Sequence, residues 1–202
     1  ELFYPPDPSS QIVCSIGGNV AENSGGAHCF KYGFTTNYVC GLEVVLADGE
    51  LVTLGGPELD PPGYDLLGAF VGSEGTLGVA TKVWLRIVPA PETVKTLVAF
   101  FDSTHEAGQA VSDIVQAGVV PGAIEMMDKL AIEASEQMAH AGWPKDAGAA
   151  LLVELDGPER ECEARFHDVR ALCDEAGASE VVVARDGAQR DVFWKMRKAA
   201  FP

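Results

Sequence analysis

The sequence predicts an α+β chain of two units, and three observations carry that prediction. Glycine and proline are dense up to about Pro91, with strand signals between them; beyond Pro91 strands and helices alternate; and this second part repeats its own order of elements. With 202 residues, 47% of them hydrophobic, the chain can bury two modest cores, since domains run about 100–200 residues. The break at Pro89-Ala90-Pro91 divides it into 1–90 and 91–202.

In the first unit, residues 41–47 (GLEVVLA) and 50–54 (ELVTL) are apolar, β-branched runs joined by Asp48-Gly49, a strong signal for a tight hairpin. Residues 79–88 alternate: Val79, Thr81, Val83, Leu85 and Ile87 share one face, while Lys82 and Arg86 take the other. That pattern predicts a half-buried antiparallel strand.

After Pro91 one pattern occurs twice. Residues 97–102 (LVAFFD) lead to a helix ending at Ala117-Gly118, then to a strand over 123–127 and Asp128. Residues 152–156 (LVELD) lead to a helix ending at Ala176-Gly177, then to 180–184 (EVVVA) and Asp186. The first helix opens on Ser103-x-x-Glu106, a capping box, and carries an apolar stripe of Ala107, Ala110, Val111, Ile114 and Val115. The second has Pro158 near its first turn and a stripe of Cys162, Phe166, Val169, Leu172, Cys173 and Ala176. With further helices over 128–140 and 186–198, the two β-α-β units predict a ferredoxin-like layer.

Charge and composition exclude several functions. Lys plus Arg number 14 against 30 Asp plus Glu, a net charge of -16, the wrong sign for a partner of nucleic acid. The longest apolar runs, such as 97–101 and 149–153, fall far short of the roughly 18 residues of a membrane span. No basic stretch followed by an apolar one opens the chain, so nothing indicates export. The five cysteines, Cys14, Cys29, Cys40, Cys162 and Cys173, are odd in number and never reach CxxC spacing. They read as buried or half-buried free thiols in a reducing cytoplasm. The sequence opens ELFYPPDPSS without a methionine and stops at AAFP directly after an amphipathic segment, which reads as a piece of a longer chain.

Chemistry is therefore sought in the glycine-rich first unit. In residues 14–26 (CSIGGNVAENSGG), Gly17-Gly18 and Gly25-Gly26 bare the backbone, so successive N–H groups can wrap an anion such as a pyrophosphate. Residues 19–24 between them suffice for about one helical turn, whose N-terminus would aim at the same anion. Asn19 and Asn23 stand four apart, which puts both amides on one side of such a turn. The 72–78 segment GSEGTLG has the same character. Neither GxGxxG after a strand nor a P-loop is present, so spacing alone leaves tight turns and a phosphate cradle both open.

The motifs SIGGNVAENSGG, KYGFTTNYVCGLEVVLADG, GYDL and VGSEGTLGVATKVWLRIVPAPE resemble the second half of the FAD-binding domain of the vanillyl-alcohol oxidase / PCMH-type flavoproteins. VAFFDS, GAIEMMD, LLVELDG and the terminal FWKMRKAAFP resemble the FAD-linked subunits of glycolate oxidases and their D-lactate and D-2-hydroxyglutarate dehydrogenase relatives. The likeness runs nearly end to end, with the motifs in the same order. It implies the C-terminal part of a PCMH-type FAD-binding domain in 1–90, then the first part of a ferredoxin-like β-α-β substrate domain in 91–202.

Position by position, the resemblance implies that Ser15, Ile16, Gly17, Gly18, Asn19, Asn23, Gly25 and Gly26 contact the pyrophosphate and flavin edge of a non-covalent FAD. Tyr32, Gly33, Val44 and Val45 would lie nearer the adenosine end, and Glu74, Gly75, Thr76 and Gly78 would form another flavin-facing turn. Arg197 would hold the substrate carboxylate, as a guanidinium fork suits, with Lys198 a second candidate. Without the resemblance, Arg197 is an ordinary helix-end cation favoured by the macrodipole. Glu125, in an apolar run, either reaches the same pocket or satisfies a neighbouring backbone or basic group.

The implied reaction is oxidation of a small 2-hydroxy acid by hydride transfer to flavin N5 while a base takes the hydroxyl proton. Electrons would pass to iron-sulfur and second flavoprotein subunits of a complex. The resemblance also implies two parts beyond 1–202: a glycine-rich loop upstream of Glu1 gripping the pyrophosphate from the opposite side, and a histidine-rich, divalent-metal segment after Pro202. Within the chain no metal site is expected, since His28, His105, His140 and His167 form no metal-like pair. Two competing readings are a non-catalytic flavin- or nucleotide-binding assembly module and a domain that takes only a nucleotide or phosphate.

Overall fold

The computed structural model describes residues 1–57 and 63–200, so Phe201 and Pro202 of the terminal motif lie outside the described residues. The chain divides into two units, Glu1–Ala90 and Pro91–Pro202, at the Pro89-Ala90-Pro91 break.

In the first unit β1 (Leu2–Phe3) is followed by helix α1 (Ile16–Glu22), the short helix α2 (Cys29–Tyr32) and a 3-10 turn (Thr35–Asn37). Strands β2 (Val39–Val45) and β3 (Leu51–Gly55) make the hairpin that Asp48-Gly49 predicts. Gly49 sits at φ 86° and the Asp48 carboxylate accepts from Glu50 N at 3.0 Å. After α3 (Leu66–Phe70), β4 (Val79–Leu85) pairs with the other edge of β2, giving the order β3-β2-β4, and β5 (Val88–Pro89) pairs with β1. Val20, Leu42, Val44 and Phe70 meet in the core of this unit.

The single apolar face expected for residues 79–88 is not held. Val79 is 64% and Ile87 51% exposed, and β4 stops at Leu85. The register of β2 against β4 shifts between Glu43 and Val44. A shift of that kind changes which parity faces inward, so Ala80 packs inward first and Val83 and Leu85 take over beyond the shift.

The second unit runs β6 (Thr93–Phe101), α4 (Thr104–Gln116), β7 (Ala123–Asp128), α5 (Lys129–Ala139), β8 (Ala149–Gly157), α6 (Glu159–Glu175), β9 (Glu180–Val183) and α7 (Gly187–Ala199). Its sheet is antiparallel throughout, in the order β7-β8-β6-β9, the ferredoxin-like layer that the repeat predicts. The capping box forms: Glu106 N donates to Ser103 Oγ at 3.3 Å and Ser103 N to Glu106 Oε2 at 3.1 Å. The aspartates that close each repeat are caps as well. Asp128 accepts from Ala131 N and Asp186 from Gln189 N, satisfying donors that the first helical turn leaves open.

The sheet is covered on both faces. Leu97, Ala99 and Phe101 of β6 and Leu151 and Val153 of β8 pack against α4 and α6, while Val98, Phe100 and Leu152 pack against α5 and α7. In α4 the buried stripe is Ala107, Ala110 and Ile114; Val115, expected in it, is 42% exposed. The Glu136 carboxylate accepts from Ala141, Gly142 and Trp143 N and so seats the buried Trp143 ring against Phe100 and Phe193.

All five cysteines stand outside any disulfide. Cys162 and Cys173 are buried, and burial pushes the Cys173 thiol up to about 12; Cys29 and Cys40 are half-buried, whereas Cys14 is exposed, against the buried state expected of it. Cys14 stands in a surface turn ahead of α1 that offers it no apolar neighbourhood, since Ile12 and Val13 are themselves 90% and 85% exposed. Among the described residues no helix is long and apolar enough to cross a membrane.

Candidate functional site

The glycine pair Gly17-Gly18 is not a loop ahead of a helix but part of the helix's first turn. Ser15 is extended and its Oγ accepts from Gly18 N at 3.0 Å, so α1 starts at Ile16. Two glycines argue against helix by propensity; the serine cap and the burial of Asn19 and Val20 outweigh them. The first N–H groups of a helix have no partner within it, and here no acidic side chain stands in the first turn to take them. At Gly17 an added Cβ would find only Ala80 O, at 3.9 Å, so the main chain is bare at this end. Ser15→Ala is expected to cost about 1 kcal/mol of α1's stability, read as faster amide hydrogen exchange at Asn19 and Val20.

The other end of α1 is tied to a second glycine segment. Gly72 N donates to Val20 O and Glu74 N to Ala21 O, both at 2.9 Å. Gly72, Glu74 and Gly75 adopt positive φ of 85°, 52° and 75°, which turns the 72–78 loop back onto the helix. Glu74, Gly75 and Thr76 are exposed on it, and Thr76 Oγ1 donates to Ser73 O at 2.6 Å. The Ser73 hydroxyl is shut from solvent and has no hydrogen-bond partner among the described residues. Gly78 is glycine because a Cβ would stand 2.7 Å from Val45 O.

The remaining residues expected to hold a cofactor differ in how they are placed. Asn19 is 4% exposed, and Asn23, the left-handed cap of α1, turns its Oδ1 onto Thr36 N at 2.9 Å. The two amides therefore do not form an outward pair. At Gly25 a Cβ would lie 2.5 Å from Cys29 Sγ, and at Gly26 2.5 Å from Asp7 O, so these glycines answer to the chain's own close packing. Gly33 caps α2, and Tyr32 O accepts from the Tyr38 hydroxyl at 2.8 Å. Val44 is fully buried in the core, on the strand paired on both sides, while Val45 is half-buried.

In the second unit α7 turns Arg190, Trp194 and Arg197 to the sheet, a spacing that puts them on one helix face. Glu154, 1% exposed in the middle of β8, accepts from Arg190 Nε and Nη2 at 2.7 and 2.8 Å, from Thr96 Oγ1 at 2.7 Å and from Trp194 Nε1 at 2.8 Å. The Glu154 carboxylate raises the pKa of Arg190 above its ordinary value. Further along the helix, Arg197 Nε donates to Glu125 Oε2 at 2.5 Å, the basic partner that sequence allowed for Glu125. Lys198 is exposed. Glu154, Arg190 and Trp194 escape the sequence reading; a carboxylate inside an apolar strand and a polar stripe at 190, 194 and 197 were the signals. A cavity of about 530 Å³ between the 141–144 loop and the start of α7 has Phe100, Trp143 and Phe193 in its lining, and Arg197 is not part of it. Among the described residues no three His, Cys, Asp or Glu side chains are grouped to hold a metal; His28 Nδ1 lies 2.8 Å from Asp7 Oδ2.

A family model described as FAD linked oxidases, C-terminal domain, matches residues 90–202. The chain belongs to the FAD-linked oxidases. A second model, described as FAD binding domain, matches residues 1–55. The chain is 53% identical over its whole length to glycolate oxidase subunit GlcD of Escherichia coli, covering 40% of that protein. It is 44% identical to the subunit of the same name in Bacillus subtilis and 36% identical to a D-lactate dehydrogenase of Anaerostipes hadrus, with 98% of the chain and 43% of each relative covered. The chain thus spans about two fifths of the length of these relatives. Among solved structures, an alkyldihydroxyacetonephosphate synthase matches with TM-score 0.76 at 18% identity, over 98% of this chain and 40% of that one. p-Cresol methylhydroxylase matches with TM-score 0.75 at 17% identity, over 95% and 43%. Both matches show that the chain shares their fold.

The residues of the first unit fit FAD. Bare N–H groups at the capped start of α1 are donors suited to a pyrophosphate, the Ser73 hydroxyl has no partner among the described residues, and open space stands where Gly75 would carry a Cβ.

Proposed function

We propose that the full-length protein oxidises a small 2-hydroxy acid of the glycolate or D-lactate kind, using non-covalent FAD and passing the electrons to partner subunits. The observation that carries this reading is Arg197, a half-buried guanidinium held by Glu125 on a helix that a buried network anchors to the sheet. Its likeness in place to the carboxylate-binding arginine of the hydroxy-acid dehydrogenases, and the names borne by the relatives above, support the assignment.

Arg197 takes the substrate carboxylate in a two-pronged, charge-assisted contact and so fixes the orientation of the 2-carbon. Lys198 adds a second positive charge beside it, which favours an anionic substrate on a chain of net charge -16. In the first unit the start of α1 holds the cofactor through main-chain donors with no acidic side chain in its first turn, and the 72–78 loop, tied back onto α1 by Gly72 N and Glu74 N, faces it with its exposed Gly75. FAD, when bound, supplies the acceptor for the hydride.

The test uses purified full-length protein. A yellow sample whose flavin absorbance bleaches anaerobically on addition of glycolate or D-lactate supports the reading. A flavin-loaded sample that neither acid bleaches sinks it, and a colourless protein that added FAD cannot reconstitute favours the non-catalytic assembly module.

A further inference from the structure

We propose that Glu125 is the residue that positions Arg197 for its substrate, an inference that rests on the assignment of Arg197 to the substrate carboxylate. Glu125 lies on β7 directly across from Leu152 of β8. Cross-strand partners share a sheet face, and Leu152 packs on the face covered by α5 and α7. The Glu125 carboxylate therefore rises toward α7, where it accepts from Arg197 Nε. The two side chains are 19% and 21% exposed, so the contact is formed in a partly desolvated place rather than at the open surface, where such pairs contribute little.

The atom used decides what the contact does. Nε lies at the base of the planar guanidinium, next to the flexible stem. A bond there fixes the plane of the fork and with it the direction in which the fork presents its terminal nitrogens. The helix itself is anchored elsewhere, because Arg190 and Trp194 fix α7 on Glu154 one to two turns earlier. Glu125 is thus not needed to hold α7, and what remains for it is the aim of one side chain. Charge alone argues against a glutamate here, since a carboxylate beside an anion-binding cation weakens its pull on a second anion. Orientation is the contribution that outweighs this.

In the full-length holoenzyme, with the better substrate of glycolate and D-lactate, Glu125→Gln, which leaves Arg197 Nε only a neutral and more weakly held acceptor, is expected to raise KM about 5- to 10-fold, the difference between a charged and a neutral hydrogen bond, with a much smaller change in kcat and an unchanged flavin spectrum. Glu125→Asp, which keeps the charge and shortens the reach, is expected to fall between. Placed in an Arg197→Ala background, Glu125→Gln is expected to add nothing, because a residue acting only through Arg197 has nothing left to aim. Additive losses in that cycle, or a lower KM in Glu125→Gln alone, overturn the proposal. Should Glu125→Gln fail to fold, Glu125→Asp closes the same cycle. A wild-type enzyme inert toward both acids removes the underlying reading, whereas turnover lost in Arg197→Ala but untouched in Glu125→Gln removes this inference alone.

Discussion

Arg197→Ala in the full-length enzyme is expected to lower kcat/KM for glycolate or D-lactate by about 10²–10³. Truncating one partner of a hydrogen-bonded charge pair costs about 2–5 kcal/mol, and each 1.4 kcal/mol is tenfold. The competing account is that Arg197, in the last turn of α7, does no more than complement the helix dipole. That role contributes about 0.3–1 kcal/mol and only to stability, so it predicts a small shift in unfolding and an unaltered KM. Steady-state kinetics with an artificial electron acceptor, run beside a thermal melt, separate the two. Kinetics that match wild type would return Arg197 to the helix-end role.

The largest structural effect is expected at Arg190. Its guanidinium is the charged partner of Glu154, whose side chain is only 2% exposed. Removing one member of a buried pair leaves the other uncompensated and costs about 3–5 kcal/mol. Arg190→Met should sit at the lower end, near 3 kcal/mol, because Thr96 and Trp194 still donate to the carboxylate. The readout is the urea midpoint followed by tryptophan fluorescence, since Trp143 and Trp194 both lie in this unit. An unshifted midpoint would mean that water reaches Glu154 and that the network is not a sealed one.

The second unit was legible because its signals are local. Ser103 and Glu106 state their capping box within four residues, and Asp128 and Asp186 announce the helices that follow them. The first unit was less so, and the reason is tertiary override. Gly17 and Gly18 have poor helix propensity, yet Ser15 caps them and the burial of Val20 holds the turn. The inward face of β4 does not follow from its alternation, because a register shift leaves no mark in the sequence itself. At the candidate site, Arg197 was reached only through resemblance to a family. In sequence Glu154 reads only as a strand residue, because its donors, Thr96, Arg190 and Trp194, come from elements remote in sequence. Val44, a place carried over by resemblance, has its side chain in the core of the first unit.

The two bonds from Gly72 and Glu74 back to Val20 and Ala21 also set an order of assembly. Their partners are far apart along the chain, and contacts of that kind form late, since chain entropy is lost before they repay it. Helix α1, seven residues long with two glycines, waits for its core as well, since the burial of Val20 is what holds it. The surface that α1 and the 72–78 loop share arises only once the intervening hairpin is made and β4 has docked on β2. A ligand that requires both segments finds no partial site on the nascent chain; it meets a finished wall or none.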